Sequence, residues 1–212
     1  MLNQIFTIET FVSLLSSTIR LATPILVPAL GQIFTQLGGV LNLSVEGTML
    51  MGAISGFIVA SSTKSLVIGI FAGMLVGVIW SLLMAAMSVS IRTNQVIAGI
   101  GLNILASGTA AYLYRLVFGV RKLPPSVIPF QSISIPILSE IPILGPVLFN
   151  HNILVYIGYL LVVVAWFVLE KTQYGLKVKA VGEHPRAADA KGINVSKIRY
   201  STIMIGGVCA GY

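Results

Sequence analysis

The sequence predicts an all-α fold: a polytopic transmembrane helix bundle with about five complete spans and the start of a sixth. Three observations predict it. Hydrophobic residues make up 56% of the 212 residues and charged residues only 9%, with a mean hydropathy of +0.97, whereas a soluble domain carries about a quarter charged residues. Long stretches run without a charge, among them Leu21 to Val45, Ser65 to Ile91, Thr93 to Tyr114 and Ile141 to Leu169. Each is near or beyond the ~20 residues that cross about 30 Å of hydrocarbon. The surplus of 13 basic over 6 acidic residues is concentrated in one segment rather than spread along the chain.

Charges mark the boundaries of the elements. Crossings are predicted near residues 11–37, 44–61, 66–90, 95–118 and 151–169, with a sixth opening at about 200. The second is the shortest and starts among polar residues. The segment 119–150 differs in kind, because Pro124, Pro125, Pro129, Pro136, Pro142 and Pro146 remove donors and forbid a continuous helix. An open span there would leave backbone groups unsatisfied in lipid, so it is expected outside the hydrocarbon, as an extracytoplasmic loop or a partly re-entrant lid. The first ten residues carry Glu9 and no Lys or Arg, and no cleaved signal is expected. The last apolar run stops at Tyr212, short of a bilayer's thickness, so the chain is expected to be the front part of a longer protein, one transmembrane domain incomplete at its C-terminus.

The charge distribution orients the bundle. Seven basic residues lie between Lys171 and Arg199 against the three acids Glu170, Glu183 and Asp189, a net +4 over residues 170–199. Placing that segment in the cytoplasm also places Arg92 there. Eight basic residues then face Arg20, Lys64, Arg115, Arg121 and Lys122 on the other side, the direction the positive-inside rule favours. The inverted topology stays open at this point.

Several classes of function are excluded or left without support. One cysteine, Cys209, excludes an intrachain disulfide and a multi-cysteine metal centre. His151 and His184 are isolated from each other, and no HExxH, GxSxG or GxxxxGK[ST] string occurs. No catalytic residue, metal site or cofactor is expected, and the sparse charge outside residues 170–199 offers no nucleic-acid face.

Two kinds of intramembrane residue stand out. Gly69, Gly73 and Gly77 form a ridge at four-residue spacing that Ser81 continues, and Gly52 with Gly56 and Gly207 with Gly211 make further pairs. Small residues let backbones approach in lipid, where the hydrophobic effect does not drive helices together, so this pattern predicts close helix packing. Polar residues at membrane depth are costly unless partnered or facing an aqueous path. Asn42 and Glu46 share a helical face if that stretch is helical, bracketed by Gly38, Gly39 and Gly47. A glycine-flanked polar break is the pattern of a discontinuous helix lining a solute path; alternatively Glu46 marks a helix start at the cytoplasmic interface. Gln95 and Asn103, with Thr93 and Asn94 before them, either hydrogen-bond uncharged polar solutes or tie helices together. Arg20 and Arg115 read as interface residues that snorkel.

The basic segment carries the sharpest pattern. In Gly182-Glu183-His184-Pro185-Arg186-Ala187-Ala188-Asp189-Ala190-Lys191-Gly192-Ile193, proline suits a first helical position and glycine the left-handed residue past the end. Together they frame a slim two-turn helix from about 185 to 191, too short to be stable without packing or a partner. This string resembles the cytoplasmic coupling loop of inner-membrane permeases of ABC importers for branched-chain amino acids, simple sugars and nucleosides, although the family form has Asn, a better helix cap, where this chain has His184. The segment Gly38-Gly-Val-Leu-Asn42-Leu-Ser-Val-Glu46-Gly-Thr-Met is similar to the nucleoside and simple-sugar branch, and Asn94-Gln95-Val-Ile-Ala-Gly-Ile-Gly-Leu-Asn103 resembles one of the paired permeases of nucleoside importers. The resemblance runs from about Leu21 to the last residue.

The resemblance implies a permease for nucleosides or related simple sugars that is not itself an enzyme. Its implied partners are a cytoplasmic ABC ATPase, a second permease subunit forming a heterodimer, an extracytoplasmic solute-binding protein and membrane lipids. It implies an inner (plasma) membrane location with the coupling loop cytoplasmic. Asn42, Glu46, Gln95 and Asn103 are the candidates for the substrate path, and Gly182, Glu183, His184, Pro185, Ala187, Ala188 and Gly192 for ATPase coupling. The competing expectations are an ion-gradient-driven transporter or solute channel, a permease for branched-chain amino acids, and a scaffold without transport.

Overall fold

A computed structural model describes residues 8–119, 129–134 and 144–212. Pro124, Pro125, Pro136, Pro142, Arg121 and Lys122 lie outside the described residues, and with them most of the segment expected as an extracytoplasmic loop. Five described helices are long and apolar enough to cross a membrane. The chain is a multi-pass membrane protein.

Helix α1 spans Ile8–Leu37 and holds Pro24 and Pro28, each removing one ladder bond. Its end is closed by Gly39, at φ +78, whose N–H donates to the Gln36 carbonyl at 2.9 Å, while Val40 N–H donates to Thr35 at 3.0 Å. That pair of bonds around a left-handed glycine is a Schellman stop. Helix α2 spans Val45–Thr63 and ends at left-handed Lys64. Helix α3 spans Leu66–Ala85, starts at the Ser65 cap and widens into a π-helical turn at Ala86–Ser90. Helix α4 spans Gln95–Phe118; Asn94 caps it by accepting from the Val96 and Ile97 amides.

Beyond α4, the strands β1 (Ser132–Ser134) and β2 (Asn150–Asn152) pair antiparallel, with Ile133 opposite His151, and the short helix α5 (Leu144–Leu148) precedes β2. This two-stranded hairpin is the one departure from an all-α chain among the described residues. His151 is buried there, its ring nitrogen Nε2 2.7 Å from the Val147 carbonyl. Helix α6 spans Ile153–Lys171.

The basic segment differs from the expectation of a loop holding one short helix. It is helical almost throughout: α7 spans Gln173–Glu183, capped by Thr172, and α8 spans Pro185–Ala190. Helix α9 spans Val195–Gly211, starting five residues before the expected 200 because Asn194 accepts from the Lys197 amide at 2.9 Å and caps it there. The polar run Val195 to Arg199 is thus the first turn of the last helix, not its approach.

The three glycine groups meet in one seam. Helices α2, α3 and α9 all touch one another there, with Gly52 also against Gly211. A β-carbon built on Gly73 would lie 2.6 Å from the Gly211 carbonyl oxygen and 3.1 Å from that of Gly52, and one on Gly69 would lie 2.8 Å from the Gly56 carbonyl. Gly77 and Ser81 abut Gly207. The helices touch backbone to backbone, as the spacing predicts. A second layer, built from Met51, Trp80, Met84, Leu102 and Ala106, joins α2, α3 and α4. Large apolar side chains such as Phe71, Leu75, Ile97 and Ile104 point outward, where hydrocarbon is the natural surrounding.

Candidate functional site

Between α1 and α2 the chain is not helical. From the Schellman stop at Gly39 it runs irregularly through Asn42 alongside α4 and turns at Leu43–Ser44 into α2. The depth follows from its partners: Leu43 carbonyl accepts from Asn103 Nδ2 at 2.9 Å, and Asn103 lies eight residues, about 12 Å, into α4. A β-carbon on Gly99 would lie 2.7 Å from that of Leu43, so the glycine clears room for the segment.

Irregular backbone inside a membrane bundle needs partners from the protein, and three carboxamides supply them. Gln95 Oε1 accepts from Leu41 N–H at 2.7 Å. Asn103 bonds twice, Oδ1 accepting from Gly47 N–H at 2.8 Å while Nδ2 holds Leu43. Gln32 on α1 donates from Nε2 to the Asn42 carbonyl, and Thr35 Oγ1 in turn donates to Gln32 Oε1 at 2.6 Å. Asn42 is buried and folds its own side chain into the turn, where Oδ1 accepts from Ser44 N–H at 3.0 Å and from Ser44 Oγ at 2.7 Å. Glu46 sits in the first turn of α2, exposed, with no ion-pair partner among the described residues.

The four residues singled out in the sequence therefore gather around one feature, the break at 38–44. Three of them, Asn42, Gln95 and Asn103, spend their side-chain hydrogen bonds on holding it. Gln32 and Thr35 complete the set and are not marked in the sequence, because uncharged polar residues near a helix end, Gln36 among them, do not show which of them turns inward. On the far side of the bundle, Pro24, Pro28, Phe57, Phe130, Gly73 and Tyr212 belong to the lining of a cavity of about 330 Å³.

The basic segment lies at the same end as the break. Pro185 opens α8 at its first position, and the helix ends in a second Schellman stop: Gly192, at φ +79, donates to Asp189 at 2.8 Å and Ile193 donates to Ala188 at 3.1 Å. The glycine is thus where the spacing places it, and the helix closes one residue before the expected 191. His184 makes no side-chain cap, in keeping with a residue type that is not among the good helix caps. Ala188 is buried, whereas Glu183, His184, Ala187 and Gly192 are exposed and Pro185 is half-buried. Gly182 faces inward onto the end of α1.

Two further contacts fasten this segment to the bundle. Tyr174 on α7 shares a 2.7 Å hydrogen bond with Ser201 on α9. Burial pushes the Tyr174 phenol above its ordinary range, and the bond to Ser201 offsets part of that shift. Arg199 Nε donates to the Gly38 carbonyl at 3.3 Å. Beside α8, a polar cleft of about 630 Å³ opens between the π-turn of α3 and the start of α9, with Arg92, Arg186, Arg199 and Asp189 in its walls. Among the described residues no group of three His, Cys, Asp or Glu side chains is placed to hold a metal.

Comparison with known proteins places this arrangement. A guanosine ABC transporter permease protein of Bacillus subtilis is 35% identical over 205 residues, covering 92% of this chain and 63% of that protein. A Haloferax volcanii protein, provisionally named a glucose ABC transporter permease, is 36% identical over 202 residues, covering 93% of this chain and 60% of its own length. A nucleoside ABC transporter permease protein of Lactococcus lactis is 28% identical over 211 residues, covering 96% and 66%. The chain thus spans less than two thirds of the length of these relatives. No solved structure matches it. The family described as the permease component of branched-chain amino acid transport systems matches residues 14–212, and the chain belongs to that family.

Proposed function

We propose that the chain forms part of the membrane path of an ATP-driven importer for nucleosides or related simple sugars, with ATP hydrolysis on a separate ABC ATPase. The observation that carries the reading is the pairing of two elements at one end of the bundle. One is a short helix closed at both ends by sequence, Pro185 to Gly192; the other is a break at 38–44 whose backbone is held by carboxamides. The first is a compact handle for a soluble partner, and the second lies among the membrane helices. The names of the guanosine and nucleoside relatives support a nucleoside, and that of the Haloferax protein a sugar.

In this reading Gly182, Glu183, His184, Pro185, Ala187, Ala188 and Gly192 present the handle to the ATPase. Asn42, Glu46, Gln95 and Asn103 surround the solute path, with Glu46 the one whose side chain is exposed and without an ion-pair partner among the described residues. Residues 170–199 face the cytoplasm and 119–150 the outside. A second permease completes the path, and a solute-binding protein delivers to it from outside. ATP-driven closure of the ATPase pair shifts the handle and switches the side to which the path opens, which requires that nucleotide binding discriminate between the two states.

The test uses the full-length permease with its ATPase. Uptake of labelled guanosine and of glucose is measured in proteoliposomes with and without ATP, beside the double variant Ala188→Asp, Gly192→Pro. ATP-dependent uptake of at least one solute, lost together with ATPase co-purification in the variant, is the expected result. Unchanged association and uptake in the variant would sink the coupling assignment. Uptake that follows an ion gradient without ATP would instead favour a secondary transporter.

A further inference from the structure

Two parts of the molecule meet with no side chain between them. Gly182, next to last in α7 and three residues before α8 begins, lies against the end of α1. A β-carbon built on it would lie 2.9 Å from the Leu37 carbonyl carbon and 3.2 Å from the Gly39 nitrogen, and would overlap the Leu37 oxygen. From the other side, a β-carbon on Gly39 would lie 3.2 Å from Gly182 Cα. Helical glycine costs about 1 kcal/mol relative to alanine, and here clearance accounts for its presence.

Beside this contact, Arg199 spans from α9, its Nε donating to the Gly38 carbonyl at 3.3 Å and its guanidinium reaching to 3.3 Å from the β-carbon position of Gly39. Gly38 in turn packs on Thr202, 2.8 Å from Oγ1 by the same construction. Directly after Gly39 the chain enters the break that Gln95, Asn103 and Gln32 hold.

We infer that the backbone contact of Gly182 with Leu37 and Gly39, braced by Arg199, is the point at which displacement of the coupling helix α8 is delivered to the break at 38–44. The inference rests on the importer reading above. Its physical basis is the absence of rotamers. A contact made through long side chains absorbs a shift of a few tenths of an ångström by changing χ angles, whereas close-packed backbone passes it on. Only His184 separates α7 from α8, and its N–H still bonds to Ala180 at 3.0 Å, so α8 pulls directly on the end of α7. The far end of the link is equally tied, because Leu41, Leu43 and Gly47 are bonded to α4. Gly182, Gly39 and Arg199 are thus positioning residues, which need not touch the solute.

The experiment uses the full-length permease–ATPase complex in liposomes. In a complex cleared of its native cysteines, Cys209 among them, a single reporter thiol is introduced as Leu41→Cys, at an exposed side chain of the break. The readout is the ratio of maleimide alkylation rates with ATP plus vanadate and without nucleotide. The reference complex is expected to show a ratio at least about fivefold away from one, the low end of ordinary coupling between sites. Gly182→Ala and Arg199→Met are each expected to bring it towards one. A purely structural defect would change both rates together and leave the ratio as in the reference.

A reference ratio retained in both variants overturns the link, and so does a reference complex that takes up solute with no nucleotide effect on the thiol. If Gly182→Ala does not assemble, Arg199→Met decides alone. A reference complex that neither binds the ATPase nor needs ATP overturns the importer reading, and with it this inference, and is distinguished from the other outcomes by the uptake assay.

Discussion

Replacing Gly73 by alanine tests the glycine seam quantitatively, because the same substitution elsewhere in the bundle supplies its own control. At Gly73 the added carbon would sit 2.6 Å from the Gly211 carbonyl oxygen on α9 and 3.1 Å from that of Gly52 on α2. Ordinary contact begins at 3.4 Å, so α9 would have to retreat by about 0.8 Å, and α3 cannot move away from it without closing on α2. Overpacking of that kind costs about 1–3 kcal/mol. Alanine also gains about 1 kcal/mol of helix propensity over glycine. At Gly108 on α4 nothing lies within 4 Å of the new carbon, so the propensity gain stands there without the clash. The gain is common to both sites, and the difference between them isolates the steric cost. Gly73→Ala is therefore expected to be about 1–3 kcal/mol less stable than Gly108→Ala. Thermal and denaturant unfolding in detergent, followed by Trp fluorescence, measures that difference. Two variants of equal stability to within about 0.5 kcal/mol, the scatter of ordinary surface substitutions, would refute the close approach of α3 to its neighbours.

Asn103→Leu removes the partner of the part-buried Gly47 amide, a loss of about 1–3 kcal/mol, and that of the more open Leu43 carbonyl, so uptake and melting temperature should both fall. Gln95→Leu strands only the Leu41 amide, which lies in exposed surroundings where water substitutes; its cost should be smaller, about 0.5–1.5 kcal/mol, and an order reversed from this would contradict the depth assigned to Asn103. Because the Tyr174 phenol is raised above its ordinary 10.0 by burial, the folded state favours its protonated form. That contribution is complete below pH 10 and declines as the pH rises through the folded value. Tyr174→Phe should flatten the alkaline loss of stability relative to the parent, and parallel pH profiles would argue against the buried phenol. The Glu170–Lys179 ion pair is largely exposed, so Lys179→Met should change stability by less than about 1 kcal/mol, as read by the same unfolding assay.

Much of this architecture is legible in the sequence because lipid makes charge and glycine unusually informative. The limits of α4 fall on the residues expected, 95–118, since Arg92 and Asn94 stand at one end and Gly119 at the other. The glycine pairs were readable one by one, but that all three converge on α3 was not, because spacing defines a helix face and not its neighbour. Residues 173–183 look like loop in the sequence: Lys177, Lys179 and two glycines weaken a helical pattern that the Thr172 cap and the burial of Val178 and Val181 restore. At the candidate site, the polar positions were visible as exceptions in apolar surroundings. Their use was not, since a carboxamide that holds a backbone and one that meets a solute look the same in a string of letters.

The seam of α2, α3 and α9 has a mechanical corollary. Helices joined through bare backbone have no side chains to repack, so sliding one past another would open voids along the entire ridge, and the three translate and rotate as a single solid. Compliance must then reside elsewhere. Helix α1 offers it: Pro24 and Pro28 delete two hydrogen bonds from adjacent turns, while the stretch around Gly31 is clamped to Gly206 and Cys209 of α9. The first half of α1, which packs on α5 and α6 rather than on the seam, is thereby an arm joined through a flexure to the block that carries the break.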